Sequence, residues 1–169
     1  MDVNEVLLDA FGRVDEHVRT VLDGLDAGLL VESPADGANP IGWLLWHLTR
    51  VEDDHVADLL GTDQVWIGDG WAGRFGLEPD PHNNGYDHTP DEVAAVRPDG
   101  PDAIAGYREA VAERTRAYLR DIGTDELDRV VDESFDPPVT VGVRLISVAD
   151  DAIQHAGQAA YARGLLERA

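Results

Sequence analysis

The chain has 169 residues, of which 34 are acidic and 13 are basic, so its formal net charge is −21. This length is typical of one compact domain, and the hydrophobic content of 43% allows a full core. The acidity excludes nucleic acid and disfavours a membrane surface as partners, because both need clustered basic residues and the arginines here are scattered.

The residue types that are missing exclude several kinds of chemistry. No cysteine occurs, so disulfides, thiolate metal ligands and a protein-borne sulfur nucleophile are impossible. Every basic residue is arginine, which excludes Schiff-base catalysis and the lysine of a nucleotide-binding loop. The beginning of the chain lacks the basic region and apolar run of a signal peptide, and no apolar stretch approaches the roughly 20 residues of a membrane span. We therefore expect a cytoplasmic protein.

Apolar residues at helical spacing predict a long amphipathic first helix over Val3–Leu25. A connector rich in Gly, Asp and Pro follows. Asn39 is a good N-cap, and Pro40 suits the first position of a helix. We expect this second helix to run to about Leu60 and to stop at Gly61.

Residues 62–88 have the composition of an irregular segment, rich in Gly, Asp, Asn and Pro. A loop of this length is uncommon inside a compact domain and usually has a function. We interpret it as a flap that packs on the helices through its aromatic residues; a surface loop held by its own aromatics is the alternative. The aromatic residues are Trp66, Trp71, Phe75 and Tyr86.

Thr89 and Glu92 have the spacing of a capping box, which predicts a short helix ending at Val96. Prolines then interrupt the chain. Apolar residues at helical spacing resume over Asp102–Ile122 and predict a third long helix.

Five valines surround an Asp-Pro-Pro segment within residues 128–143, and this pattern predicts a short hairpin or an extended crossover. The last helix is predicted over 144–166. Four long helices with irregular connections indicate an all-α fold, a four-helix bundle, with residues 1–169 forming a single domain.

Asp151 and His155 are the first candidate metal ligands. They stand at positions i and i+4 of the last helix, one turn apart on one face, so both side chains can reach a single ion. A helical wheel places both just outside the apolar arc, where a side chain directed into a bundle cavity would lie. Imidazole and carboxylate together form a common ligand set for divalent metals.

The second helix offers two histidines as a further ligand. His47 lies at the margin of its apolar arc beside Trp43, whereas His55 lies in the middle of that arc. Periodicity alone makes His55 the more inward residue, either a core histidine with one hydrogen bond or a competing ligand. The other histidines have no partner at metal spacing and are expected on the surface or in the flap; they are His17, His82 and His88.

Two charged residues fall on apolar helix faces: Glu52 on the second helix and Arg163 on the last. Either one buried alone would carry a heavy desolvation cost, so we predict that they form an ion pair between the helices. The chain has no nucleophile elbow, no phosphate-binding loop and no dinucleotide fingerprint.

Several segments together resemble the DinB/YfiT-like superfamily. Residues 39–48 read Asn-Pro-Ile-Gly-Trp-Leu-Leu-Trp-His-Leu and are followed by Arg-Val-Glu-Asp at 50–53. The distal part contains Asp151-x-x-x-His155-x-Gly-Gln and Tyr161-x-Arg-Gly. In their order and separation, these segments most resemble the branch related to mycothiol-dependent maleylpyruvate isomerase.

The resemblance implies a four-helix bundle that holds a divalent metal, usually zinc or nickel. It implies His47 as the ligand from the second helix and Asp151 with His155 as the ligands from the last. The family usually has His or Glu at the position of Asp151, so the aspartate departs from its pattern. The resemblance thus favours His47 over His55.

Three protein ligands would leave an open position, as in catalytic metal sites. The resemblance implies a low-molecular-weight thiol as cosubstrate, whose sulfur the metal activates, and a small electrophile as substrate. Aromatic and basic residues would line the cofactor pocket: Trp43, Trp66, Trp71, Phe75 and Arg163. The predicted function is that of a thiol transferase or isomerase. The alternatives are a metal-dependent hydrolase and a non-catalytic ligand-binding or stress-associated bundle, and a homodimer is possible.

Overall fold

The computed structural model of the protein describes residues 1–168. Its helices are α1 (Val3–Leu22), α2 (Ile41–Leu60), α3 (Val65–Gly68), α4 (Pro90–Ala95), α5 (Pro101–Asp121), α6 (Thr124–Leu127) and α7 (Val141–Leu166). A two-stranded antiparallel hairpin joins α6 to α7 and consists of β1 (Val130–Asp132) and β2 (Val139–Thr140). Single 3-10 turns occur at Ala27–Leu30 and Ala72–Phe75.

The four long helices form a bundle, which confirms the predicted all-α fold. Helix α1 packs on α5 and α7, and α2 packs on the same two helices, so α1 and α2 lie diagonally across the core. The core is filled by the inward faces of these helices and by aromatic residues of the flap. Within residues 1–168, no helix combines the length and the apolar character that a membrane crossing requires.

The first helix is shorter than predicted. It ends at Leu22 rather than Leu25, because Asp23 has an extended backbone and Gly24 has a φ of +65°. Its start is fixed by a capping box between Asp2 and Glu5. In such a box the N-cap side chain accepts from the N–H of the third helical residue, whose own side chain accepts from the N–H of the cap.

The second helix begins one residue later than predicted. Pro40 occupies the N-cap position itself, and no side chain caps the helix, so the prediction that Asn39 caps it was wrong. Pro40 has a φ of −63°, the value that its ring fixes, and its carbonyl accepts the first hydrogen bond of the helix, from the N–H of Leu44. The end is as predicted: Gly61 has a φ of +65°, the left-handed conformation that terminates helices.

The flap over residues 62–88 is more ordered than its composition suggests, because it contains α3 and a 3-10 turn. Trp66 and Phe75 are fully buried and pack on Tyr107 of α5, with ring centroids 5.2 and 5.9 Å from that of Tyr107. Asp53 of α2 accepts hydrogen bonds from the backbone N–H groups of Val65 and Trp66, at 2.9 and 2.8 Å. The flap is therefore part of the core, as the packed interpretation predicts.

The remaining elements follow the predictions closely. The capping box of Thr89 and Glu92 opens α4 as expected. Helix α5 is displaced by one residue, and the valine-rich segment forms the predicted hairpin. Helix α7 starts at Val141, three residues early, because β2 runs directly into it and Thr140 caps it through the N–H of Val143.

The predicted ion pair between Glu52 and Arg163 was wrong. Glu52 is fully buried, but it accepts hydrogen bonds from Arg108 Nη1 at 2.6 Å and from Thr115 Oγ1 at 2.7 Å, both on α5. Arg163 instead donates to backbone carbonyls at the end of α1, including that of Val21 at 2.9 Å. A helical wheel shows which face of a helix is buried, but it does not show which neighbouring helix packs on that face.

Small residues bring α7 close to the rest of the bundle. Ala152, Ala156 and Ala159 recur at helical spacing and are completely buried. Short side chains on the inward face let the backbone of α7 approach its neighbours. The residues beside this face, Asp151 and His155, are thereby held against α2.

Candidate metal centre

Three of the predicted ligands converge where α7 lies against the first half of α2. One ligand atom from each of His47, Asp151 and His155 lies within 4.8 Å of the other two. His155 Nε2 is 3.5 Å from Asp151 Oδ1, and the ring centroids of the two histidines are 4.7 Å apart. His47 is buried, and the other two residues are half-buried.

Hydrogen bonds orient both imidazoles in the same way. His47 Nδ1 is 2.6 Å from the backbone carbonyl of Asn84, and His155 Nδ1 is 2.9 Å from Gln158 Oε1. Oxygen atoms of these kinds only accept, so each Nδ1 carries the proton. The lone pair of each neutral ring is therefore on Nε2, which is the usual arrangement of histidine ligands with an outer hydrogen-bond partner.

Trp43 forms one wall of the site. Its ring stacks on His47, with centroids 4.7 Å apart and an angle of 12° between planes, and it contacts His155 edge-on at 6.3 Å. The indole N–H donates to His88 Nδ1 at 3.2 Å, and His88 Nε2 in turn contacts Asn83 Oδ1 at 2.8 Å. The flap thereby fixes the indole that holds the His47 ring in place.

The pKa values of the two histidines are shifted in opposite directions. Burial lowers the pKa of His47 and keeps its imidazole neutral, although the hydrogen bond to Asn84 opposes this shift. The hydrogen bond to Asp151 raises the pKa of His155, against a smaller effect of burial. An ion bound by both Nε2 atoms requires neutral rings, so metal binding would compete with protonation of His155.

Asp151 provides the test of whether these residues fit a metal. Its Oδ2 atom is buried and has no hydrogen-bond partner among residues 1–168. A buried carboxylate oxygen without a partner is costly unless a cation or donor occupies the adjoining space. Two imidazole nitrogens and one carboxylate oxygen form a borderline ligand set suited to zinc, nickel or a similar ion. The residues present therefore fit a divalent metal.

An open cavity of about 370 Å³ adjoins the cluster. His47 and Asp151 line it, together with Asn84 and Tyr86 of the flap. His55, the competing ligand candidate, also lines this cavity but lies outside the cluster. Its Nε2 atom is instead 3.5 Å from Arg144 Nη1. The structure thus places His47, rather than His55, beside Asp151 and His155.

The structure does not bring the other predicted pocket residues to the cavity. Trp66 and Phe75 are buried in the core beneath the flap, and Trp71 packs near Tyr107 on α5. Arg163 lies at the end of α1, where backbone carbonyls hold it. Of the residues predicted to line the pocket, only Trp43 contacts the ligand cluster. The others are prominent in sequence, but their aromatic or basic character serves packing and helix anchoring.

The residues that orient the ligands, Asn84 and Gln158, were not among the predicted site residues. Asn84 lies in a polar loop and acts through its backbone carbonyl, so its side chain gives no signal of the role. Gln158 follows His155 by three residues, which places it one turn away on the same helix face. That spacing could have identified Gln158 as a partner of the His155 ring.

Fold and site together define the class of protein: an α-helical bundle with a candidate mononuclear metal centre between its second and last long helices. The chain belongs to the DinB superfamily, whose family model matches residues 10–159. It is also similar to a conserved protein of Enterococcus faecalis solved by crystallography, with 31% identity and a TM-score of 0.92 over 100% of this chain and 99% of that one. No curated protein gives a significant match.

Proposed function

We propose that this protein is a metal-dependent enzyme that joins a low-molecular-weight thiol of the mycothiol type to a small electrophile, or isomerises the electrophile through that thiol. The proposed ligands are His47, Asp151 and His155, and the proposed ion is zinc or nickel. The observation that carries the proposal is the buried Asp151 Oδ2 atom, which has no hydrogen-bond partner among residues 1–168. It lies beside two imidazoles whose Nδ1 atoms are engaged by oxygen acceptors, which leaves the Nε2 atoms as the ligand positions.

The composition and the site agree with an external sulfur. Because the chain has no cysteine, a sulfur nucleophile has to come from a cosubstrate. With three protein ligands, a bound divalent ion keeps a coordination position open and lowers the pKa of a thiol or water placed there. The cavity of about 370 Å³ beside the cluster is large enough for a small substrate.

The residues around the ligands have separable tasks. Trp43 and the Asn84 carbonyl fix the His47 ring from its face and from its edge. Gln158 fixes the His155 ring. These contacts hold the Nε2 atoms in place before any ligand arrives, so little reorganisation is required on binding.

The first test is elemental analysis of protein purified without chelator, followed by titration with zinc and nickel. We expect about one equivalent of metal per chain, as for any mononuclear site. His47→Ala and His155→Ala should lose it. His17→Ala is the matched control, because His17 is exposed on α1. A wild-type protein that takes up neither metal would overturn the proposal.

The second test separates thiol chemistry from other uses of the same centre. The metal-loaded protein is incubated with mycothiol or a surrogate thiol and a panel of electrophiles, and conjugate formation or isomerisation is followed. Turnover that requires both metal and thiol supports the proposal. Hydrolysis independent of thiol would assign the centre to a hydrolase, and metal binding without any turnover would assign a ligand-binding role.

A further inference from the structure

A series of hydrogen bonds connects the His47 ring to a second carboxylate on the same helix. Asn84 accepts the His47 Nδ1 proton through its backbone carbonyl, at 2.6 Å, and donates from its side-chain Nδ2 to Asp54 Oδ2 at 3.1 Å. Asp54 follows His47 by seven residues, which corresponds to about 10 Å along a helix. One flap residue thus spans two turns of α2 and is held at both ends.

A third contact fixes the orientation of the Asn84 amide. Its Oδ1 atom accepts the backbone N–H of Tyr86 at 3.0 Å, so the amide nitrogen is the atom that faces α2. A carboxylate only accepts hydrogen bonds, which makes Asp54 the matching partner. The other oxygen of Asp54 accepts from Gln64 Nε2 at 2.7 Å. Both carboxylate oxygens of Asp54 are therefore engaged by side-chain amides of the flap.

The loop that carries Asn84 is also anchored one turn earlier on α2, by Arg50. This fully buried side chain donates to the backbone carbonyls of Pro81 at 3.1 Å and of Asn83 at 3.0 Å. Arg50 thus holds the loop through the backbone of its neighbouring residues. Asp54 instead contacts the side chain of the residue whose carbonyl meets His47, so it acts on the orientation of that residue directly.

We infer that Asp54 is a positioning residue of the metal centre: by holding the Asn84 side chain, it keeps the Asn84 carbonyl on His47 Nδ1 and leaves His47 Nε2 as the ligand atom. This inference rests on the proposed function for its effect on metal binding. Asp54 is half-buried and lies outside the ligand cluster, so it acts through Asn84 and not on the ion. A ligand atom fixed in advance needs little reorganisation on binding.

The test exchanges the two side chains that meet. Asp54→Asn leaves one acceptor oxygen for two amide donors, and Asn84→Asp sets two carboxylates opposite each other. Combining both changes restores the contact with donor and acceptor exchanged. The amide at position 54 still accepts from Gln64, and the carboxylate at position 84 still accepts the N–H of Tyr86. The exchanged protein keeps every hydrogen bond of the series, so we expect it to fold.

The first measurement is nitrogen NMR of metal-free protein with labelled histidine, which identifies the imidazole nitrogen that carries the proton. We expect His47 of the wild type to be protonated on Nδ1, each single variant to show both tautomers, and the exchanged protein to return to the Nδ1–H form. His155 is the internal control in the same spectra, because Gln158 on α7 holds its ring.

The second measurement is zinc affinity in competition with a chelating dye. Each single variant should bind zinc about tenfold more weakly, as for loss of an outer partner of a ligand, and the exchanged protein should recover to within about threefold of the wild type. Asp58→Asn is the matched control, since Asp58 is exposed on the same helix and the change in net charge equals that of Asp54→Asn. It should leave both measurements unchanged.

The outcomes separate this inference from the proposed function. A wild-type protein that takes up no zinc overturns the proposed function and this inference with it. Zinc uptake by the wild type overturns the inference alone if the His47 tautomer is unchanged in both single variants, if Asp58→Asn loses as much affinity, or if the exchange restores nothing. Where a single variant does not fold, an exchanged protein without the Nδ1–H form of His47 has the same meaning.

Discussion

Gly85 of the flap lies directly against His47. A Cβ atom on Gly85 would stand 2.6 Å from His47 Nδ1, and the φ of Gly85 is +95°. Both the space and the backbone conformation therefore require glycine at this position. The same turn places the carbonyl of Asn84 at 2.6 Å from His47 Nδ1. The flap thus determines the orientation of the His47 ring, although His47 itself lies on α2.

This contact predicts that Gly85→Ala weakens metal binding although no ligand is changed. The added methyl group must displace the flap or the His47 ring, and loss of an outer partner of a ligand typically costs about tenfold to a hundredfold in affinity. Zinc titration in competition with a chelating dye measures the affinity of each variant. Gly70→Ala is the control, because Gly70 also has a positive φ, +70°, but has open space around its Cβ position. Equal affinities in the two variants would contradict the prediction.

Gln158 provides a second test of ligand orientation. Gln158→Leu removes the acceptor of the His155 Nδ1 proton, so we expect metal affinity to fall by about tenfold or more. Gln154→Leu is matched to it, because Gln154 lies on the same helix and its side chain bonds to Asp150, away from the cluster. The same dye competition applies. Should Gln154→Leu weaken binding as much as Gln158→Leu, the orienting role assigned to Gln158 would be wrong.

The buried charges between α1, α2 and α5 predict a large effect on stability. Arg108 donates to Glu52 at 2.6 Å and to Asp15 at 2.8 Å, and all three residues are buried. Arg108→Ala leaves the buried Glu52 without its cation and leaves Asp15 paired with Arg116 alone, so the free energy of unfolding should fall by about 3–5 kcal/mol. Urea denaturation measures this loss of unfolding free energy. Arg13→Ala breaks only an exposed pair with Asp9 and should leave the midpoint nearly unchanged.

The packing of the flap predicts that its tryptophan stabilises the whole fold. Trp66 is fully buried against Phe75 and Tyr107. Trp66→Ala should therefore cost about 3–5 kcal/mol, the usual range for a large aromatic residue in a core. Tyr86, which is 86% exposed in the same flap, is the control: Tyr86→Ala should change stability little. Similar losses in both variants would mean that the flap is not anchored through Trp66.

Metal binding should also stabilise the folded state. An ion that binds only the folded protein, at a free concentration about 100 times its Kd, adds ~2.7 kcal/mol. We therefore expect the midpoint of thermal unfolding to rise with added zinc and to return on addition of a chelator. Asp151→Asn should abolish the rise, since it removes the charged ligand. A zinc-induced rise that is equal in Asp151→Asn would show that the ion binds elsewhere.

The sequence by itself determined the architecture of the bundle. Apolar residues at helical spacing predicted the four long helices, and Gly61 and the pair Thr89 and Glu92 marked ends that the structure confirms. Such signals are local, since they depend on neighbouring positions of one chain segment. The spacing of Asp151 and His155 was likewise readable, because two residues one turn apart share a face wherever the helix lies.

Only the tertiary structure decided which groups meet across helices. A helical wheel favoured His55 over His47 and paired Glu52 with Arg163, but it contains no information on which helix lies opposite. The packing of α2 between α5 and α7 gives Glu52 its partner on α5 and brings His47 to the pair on α7. The buried oxygen of Asp151 and the approach of Gly85 to His47 depend on contacts between distant segments, and local periodicity cannot report them.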